Sequence, residues 1–345
     1  MELLKEGKIK FYADNLQTKS AGVFFNPSRS FERNLNITLI KAIGRSGLEG
    51  IELFSASGVR GLRLCAETEN FKRMVLNDIK TIKTIERNIK LNKIKNASSL
   101  EINAAKVNCL GEHFDYIDID PFGSPVGYLQ NSFASIRMNG IMAITATDTA
   151  PLYGRAKKAC RLKYGASSMK THYYNELGLR ILIKRSEELA NIMERSIEPI
   201  FFDVRKHYIR AYFRVVRPHK SEKIGFIYQC RRCPNRTLEE STKCSNCGSD
   251  LLKLGPVWLG RLFDRTLVES MLALSEDKTE RKYLESLAHE TDQVSYYTTD
   301  ELASYLKKPE VSISAVKSRT VLNPKGFRTD DGIADVLGMA SSPNQ

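Results

Sequence analysis

Short apolar runs alternate along this chain with stretches of helical spacing, and that alternation limits the fold more than any other feature. Runs at 50–54, 74–77, 100–102, 116–119 and 140–145 read as buried strands. Helical patterns separate them, such as Ile82, Ile85 and Ile89 after the second run; an earlier helix is marked by Leu35, Leu39, Ile40 and Ile43. Strands alternating with helices imply an α/β fold, a Rossmann-like sheet covered by helices on both faces. A helix around 172–195 and strand-like runs at 199–204 and 208–216 follow, so the sheet ends on an adjacent strand pair. Binding crevices in open α/β sheets lie outside the carboxyl ends of the strands, and the residues that end these runs are therefore candidates for chemistry.

The fourth run ends in Ile117-Asp118-Ile119-Asp120-Pro121-Phe122-Gly123-Ser124-Pro125. Two acids break an apolar strand, and Asp120-Pro121-Phe122-Gly123 turns the backbone sharply. A carboxylate, a prolyl carbonyl and an aromatic ring in sequence suit the presentation of a planar amino group to an electrophile. Asp120 and the Pro121 carbonyl can each accept one N–H of an exocyclic amine, while Phe122 stacks on the heterocycle. Holding both hydrogens turns the nitrogen lone pair toward the incoming group, by positioning and preorganised electrostatics. The competing reading is a surface Asp-Pro turn.

Other strand ends supply candidate cofactor contacts. Ser55-Ala56-Ser57-Gly58-Val59-Arg60-Gly61 forms a small-residue loop before a helix, where backbone N–H groups can approach an anionic group. Asp78 ends the second strand about 20 residues further on, a position that holds ribose hydroxyls in dinucleotide folds and otherwise caps the next helix. Asn103 and Ala104 end the third strand, where an adenine amino group could be read. Arg33 is either a solvated helix-start residue or a cation near a cofactor carboxylate. No phosphate-loop Lys, no HExxH and no Ser or Cys nucleophile elbow competes.

A net charge of +13 points to a polyanionic partner. The 345 residues contain no apolar run long enough for a membrane span, and the N-terminus lacks the apolar core of a signal peptide. Of seven cysteines, Cys65, Cys109 and Cys160 are scattered, whereas Cys230-x2-Cys233 and Cys244-x2-Cys247 form two knuckles ten residues apart. That spacing places four thiolates about one structural Zn²⁺, as in a zinc ribbon, with no open position for catalysis. It also fits a reducing, cytoplasmic setting. Residues 205–236 hold ten Lys or Arg and one acid, interleaved with Tyr208, Tyr212, Phe213, Phe226 and Tyr228. They read as an RNA-facing surface, with Arg231, Arg232 and Arg236 on phosphates, or as a merely solvated face.

Glu52…Ser57-Gly58-Val59-Arg60-Gly61, Asn77-Asp78, 118–125, Thr145-Ala146-Thr147-Asp148-Thr149-Ala150-Pro151-Leu152 and Gly255-Pro256-Val257-Trp258-Leu259-Gly260 occur in that order. Together they closely resemble the tRNA (guanine-N2)-dimethyltransferase family, over about residues 20–330. The resemblance implies an S-adenosyl-L-methionine-dependent methyltransferase domain whose product is N2,N2-dimethylguanosine at tRNA position 26. It implies cofactor contacts from Arg33, Glu52, Ser57, Arg60, Asp78, Asn103 and Ala104, with Asp120 as the catalytic acid beside Pro121 and Phe122. The chain departs from the family pattern twice: the usual Asn-Arg-Asp reads Glu32-Arg33-Asn34, and the usual Asp-Ala-Asn reads Asn103-Ala104-Ala105.

These readings divide the chain into a methyltransferase domain at 1–222 and a C-terminal α+β, tRNA-binding domain at 223–345 that contains the ribbon. Within the latter, 299–306 and 312–318 read as short helices, 321–329 as the wing of a small helix–wing module, and 341–345 as a frayed tail. The alternatives are amino-group methylation of another nucleic-acid base, whose enzymes carry Asn-Pro-Pro-aromatic turns, and a non-catalytic zinc-ribbon RNA-binding protein. A monomer is compatible with the sequence, which leaves oligomeric state open.

Overall fold

The computed structural model describes residues 1–15, 22–218, 223–316 and 318–341. Strands β1 (Glu2–Glu6) and β2 (Ile9–Asn15) form an antiparallel ribbon, and β3 (Phe24–Phe25) runs parallel to β2. Asn26 caps a single-turn 3-10 helix at Pro27–Arg29, and helix α1 (Ser30–Ile43) follows. Its inner face buries the expected Leu35, Leu39 and Ile40 completely, each worth about 1.5–3 kcal/mol of apolar burial. The same face also buries Glu32 and Arg33.

Strand β4 (Leu48–Glu52), helix α2 (Val59–Glu67), strand β5 (Phe71–Asn77), helix α3 (Ile82–Leu91) and strand β6 (Ala97–Leu100) build one half of the sheet. A Cβ on Gly61 would lie 2.2 Å from Leu76 Cδ2, so only glycine lets α2 approach β5 this closely. The third strand ends two residues before its expected limit. Beyond Leu100 the Ile102 N–H donates to the Asn77 side chain at 2.9 Å, and the chain leaves the ladder there.

Strand β7 (Phe114–Ile119), helix α4 (Val126–Ser135) and strand β8 (Ile136–Ala146) complete the parallel part. Helices α5 (Thr149–Leu152), α6 (Lys157–Tyr164) and α7 (Tyr174–Ile192) lead to the antiparallel pair β9 (Ser196–Arg205) and β10 (Tyr208–Val216). The strand order is β6-β5-β4-β7-β8-β10-β9, an α/β sheet of the expected Rossmann-like kind. Its direction of travel reverses between β4 and β7, which opens a crevice at their carboxyl ends. Glu52 and Asp118 sit side by side in register at that point.

A three-stranded antiparallel sheet follows, made of β11 (Ile224–Cys230), β12 (Arg236–Thr237) and β13 (Leu251–Trp258). Asp264 and Asp277 cap helices α8 (Arg265–Leu274) and α9 (Lys278–Ala288), both of which pack on α1. The chain ends with β14 (Tyr297–Thr298), α10 (Thr299–Leu306), β15 (Gly326–Phe327) and α11 (Ile333–Ser341). Helix α10 matches its expected limits, and the wing appears as β15 paired with β14. The helix expected at 312–318 is absent: one 3-10 turn, Ile313–Ala315, stands in its place. The Ser312 hydroxyl accepts the Ser314 N–H and bonds the Ser314 hydroxyl, local bonds that compete with a helix. Ser341 closes α11, and the rest of the expected tail lies outside the described residues.

Helix α7 ties the two sheets together. Arg180 donates to the carbonyls of Trp258 and Gly260, while Glu176 accepts from Arg180 and from Arg328 beyond β15. Buried apolar residues from Ile9 to Leu322 form one continuous cluster. Among the described residues no helix is long and apolar enough to cross a membrane.

Candidate functional site

A cavity of about 1690 Å³ opens at the carboxyl ends of β4, β5 and β7. Arg33, Glu52, Ser57, Arg60, Asp78, Asn103, Ala104, Asp120, Pro121 and Phe122 all line it. Residues up to 89 positions apart in sequence therefore converge because strand ends and the loops that follow them face one crevice; the described structure separates none of the ten from the others.

Asp120 is held from two sides. Arg29 Nη1 lies 3.0 Å from Oδ1 and 2.8 Å from Oδ2, and Arg60 Nη2 lies 2.9 Å from Oδ2. Burial alone would raise the Asp120 pKa, but the Arg29, Arg60 and Arg210 guanidiniums outweigh it and hold the carboxyl below its usual range. The turn beyond it is braced through its backbone. Gly123, at φ +99°, donates to the Thr147 hydroxyl at 2.6 Å and accepts the Thr147 N–H at 2.9 Å. Ser124 donates to the Tyr164 hydroxyl, which in turn donates to Asp148. Phe122 stands 79% exposed on this braced turn, edge-on to Phe24 at 4.9 Å between ring centroids. An apolar ring this exposed, beside the largely buried Asp120 carboxylate, leaves a face open on which a planar group can stack.

Beneath Asp120 lies a closed charge cluster. Arg60 forks onto Glu32; Arg210 reaches both Glu32 and Asp118; Arg29 also meets Glu32 at 3.1 Å. Glu32, Asp118 and Arg210 are wholly inaccessible to solvent. Three guanidiniums thus face Glu32, Asp118, Asp120 and Glu52, one carboxyl too many. Glu52 absorbs the excess: burial and the adjacent Asp118 push its pKa up to about 8, so it is protonated at neutral pH. The remaining charges balance, which a buried ionic cluster requires if it is not to be strongly destabilising.

At the other end of the cavity Asp78 combines two roles. Its Oδ1 accepts the Lys80 and Thr81 N–H groups ahead of α3, and its Oδ2 accepts the Ala56 N–H at 3.0 Å, fixing the loop before α2. The Ser57 hydroxyl is buried with no partner, and Gly58 opens α2 without a side-chain cap. Asn103 accepts the Ala105 N–H at 3.0 Å and starts a short 3-10 helix, leaving Ala104 at the cavity wall. Arg33 is less available than its sequence position suggests, because its Nε and Nη2 engage Glu6.

The four knuckle cysteines also converge. The sulfurs of Cys230, Cys233, Cys244 and Cys247 lie within 4.8 Å of one another, the separation expected around a tetrahedral metal. The Arg232 and Cys233 N–H groups point at Cys230 Sγ, and Asn235 Nδ2 at Cys244 Sγ. Such donors stabilise thiolates, and the set fits a closed structural zinc. Arg231 and Arg232 are exposed beside it. Arg236 is not a surface cation: it is buried between Tyr173 and Tyr297, donates to the Tyr296 carbonyl and pairs with Glu301. Tyr208, Tyr212 and Phe213 are likewise core residues, so the aromatic interleaving of 205–236 reflects strand burial more than a stacking surface.

Residues 6–339 match the family model described as N2,N2-dimethylguanosine tRNA methyltransferase. The chain belongs to this family. A tRNA (guanine(26)-N(2)/guanine(27)-N(2))-dimethyltransferase of Aquifex aeolicus is 33% identical, covering 98% of this chain and 95% of its own. A tRNA (guanine(26)-N(2))-dimethyltransferase of Pyrobaculum arsenaticum is 32% identical over 97% and 96%. Among solved structures, Trm1 from Pyrococcus horikoshii in complex with S-adenosyl-L-methionine superposes with a TM-score of 0.87 at 27% identity, covering 98% and 99% of the two chains.

Sequence reasoning overlooked several residues of this dimethyltransferase-family site. Arg29, which touches Asp120 directly, precedes α1 with no pattern around it to mark it. Arg210 did leave a signal, since a charge amid the apolar residues of an inner strand must have a buried partner. Glu32 was visible only as a departure from the family's usual Asn. Phe24 faces Phe122 from 98 residues earlier, a pairing that strand periodicity cannot reveal.

Proposed function

We propose that the protein methylates the exocyclic N2 of guanosine at tRNA position 26, giving N2-methyl- and N2,N2-dimethylguanosine. The observation that carries this reading is the Arg-held Asp120 carboxylate next to the exposed Phe122 ring at the cavity wall. S-adenosyl-L-methionine, when bound, supplies the electrophilic methyl group. The lining suits it: Asp78 offers a carboxylate for ribose hydroxyls, Asn103 and Ala104 an edge for adenine, and the unpartnered Ser57 hydroxyl with the uncapped start of α2 a polar cradle. Arg60 and Glu52 hold the floor, and Arg33 contributes positive charge while bonded to Glu6.

Asp120 accepts one N–H of the guanine amine and the Pro121 carbonyl the other, with Phe122 against the everted base. The amine lone pair then points away from both acceptors. Once methylated, the nitrogen is cationic and strongly acidic, so even a carboxylate of lowered proton affinity can take its proton. Low basicity has a benefit here: Asp120 stays ionised, ready to accept a hydrogen bond, across the physiological range. One N–H remains after the first transfer, and the same acceptor can serve the second.

In this reading residues 1–222 carry catalysis and residues 223–345 bind tRNA, with zinc shaping the ribbon, in the cytoplasm. The test is nucleoside mass spectrometry of an unmodified tRNA transcript treated with the protein and S-adenosyl-L-methionine. N2,N2-dimethylguanosine from the natural transcript, and none from one with adenosine at position 26, is the expected result. Methylated adenosine, or no methylated nucleoside, would overturn the proposal.

A further inference from the structure

The charges of the cavity lining are unevenly spread. Its acidic side chains, on Glu52, Asp78 and Asp120, belong to the carboxyl-end floor, where Arg29, Arg33, Arg60 and Lys80 stand beside them. An exposed rim is drawn from three further elements: the β9–β10 turn with Arg205, Lys206 and His207, helix α9 with Lys282, and the segment before β15 with Arg319. Among the described residues no acid lines this rim. Arg205 is paired with Asp203 at 2.8 Å and stacks over Phe31 and Tyr283, which fastens the turn to α1 and α9. Lys206, Lys282 and Arg319 are exposed, and among the described residues none of them forms an ion pair.

Three cations from independent elements line one cavity, the Lys206 turn being fastened to the Lys282 helix by the stacked Arg205, and like charges gathered there repel one another unless an anion joins them. At the floor acids and guanidiniums are mixed and largely paired, with Asp120 turned to an amine; the unpaired cations of the rim suit the anionic part of the same substrate. A nucleotide that enters the cavity base-first leaves its two flanking phosphates at the mouth. We infer that Lys206, Lys282 and Arg319 bind the RNA phosphates flanking the everted nucleotide, gripping the substrate at the cavity mouth itself, apart from the zinc ribbon. This rests on the proposed RNA-methylating function of the cavity and adds a second electrostatic site to it. Lone lysines are phosphate partners of the point-charge kind, so they position the backbone and read no sequence.

The experiment replaces all three in the full-length protein, as Lys206→Gln, Lys282→Gln and Arg319→Gln, alongside a charge-keeping Lys206→Arg, Lys282→Arg pair. All are surface positions, and a thermal melt checks that the fold is kept. Loss of three phosphate contacts should weaken tRNA binding by about an order of magnitude at moderate salt and flatten the slope of log K against log salt by about 2. These contacts exist before and during transfer, so KM for tRNA should rise while kcat at saturating tRNA stays within about threefold. The Lys→Arg pair should keep the wild-type slope, and calorimetry should show unchanged S-adenosyl-L-methionine affinity for every variant. A triple variant with wild-type tRNA affinity and salt slope overturns the inference. So does a triple variant whose main defect is in cofactor affinity, since the rim would then serve the cofactor carboxylate. If wild type itself methylates no tRNA, the proposed function fails first, and a salt-dependent tRNA binding difference between wild type and variant still judges the rim.

Discussion

Arg29 Nη1 lies 2.8 Å from Asp120 Oδ2, joining the residue just before α1 to the turn after β7 across 91 positions of sequence. That pairing fixes what Asp120 can be. A carboxylate clasped by Arg29 and Arg60 is not poised as a strong base; it is a permanently ionised acceptor, aimed by its two partners. Burial in the Glu32 and Arg210 cluster keeps the clasp rigid.

Replacing Arg29 with Met should therefore change the pH profile more than the maximum rate. Asp120 has a lowered pKa, and its active form is the carboxylate, so the acidic limb of wild-type kcat lies below the usual carboxylate range. Removing one of the flanking cations should move that limb upward by about one unit. A pH–kcat series for both proteins checks this, with cofactor affinity by calorimetry as control; coincident limbs would show that Arg29 does not tune Asp120.

Glu52 carries the opposite sign. Its folded pKa of about 8 exceeds the ordinary 4.5 of an exposed glutamate, so the native state keeps a proton that the unfolded chain releases. Stability should fall as pH climbs from about 4.5 to about 8, in proportion to the extra proton bound by the native state. Glu52→Gln keeps an acceptor for the Gly61 N–H yet cannot ionise, so its Tm should match wild type near pH 4 and exceed it at pH 8. Parallel Tm-against-pH curves would mean that Glu52 is ionised in the folded protein.

Zinc removal should divide the molecule. The purified protein should hold one zinc per chain, and Cys230→Ser with Cys233→Ser should release it, because so small a ribbon depends on its metal. Cofactor binding should survive, since the cavity floor lies on the seven-stranded sheet. Binding of tRNA should weaken and lose salt dependence through Arg231 and Arg232. Arg236→Gln belongs to a different class: it should lower Tm by loosening the packing of Tyr173 and Tyr297 around the ribbon. Metal analysis, calorimetry and salt titrations of tRNA binding read each arm.

The legible parts of this molecule are those with a local signature. Strands β4, β5, β7 and β8 announce themselves by apolar runs, and the Asp120 turn by a proline and an acid at a strand end. The cysteine knuckles do so by spacing alone. The charge cluster is not local: Glu32, Arg60, Asp118 and Arg210 come from four elements, and no local pattern says which of them meet. Arg236 was misread for the same reason, because a basic residue in a basic run gives no sign of the two tyrosines that enclose it. The helix expected at 312–318 fails because serine hydroxyls bonding locally leave a single 3-10 turn.

In the proposed reaction Asp120 orients the guanine amine for transfer. Single-turnover methylation of unmodified tRNA by Asp120→Ala, with labelled S-adenosyl-L-methionine and both ligands saturating, tests it most directly. An interaction made with the reacting amine should appear in the transfer rate, so the variant should lose about two or more orders of magnitude while binding cofactor and tRNA as wild type does. Transfer at a near wild-type rate by Asp120→Ala would contradict the account.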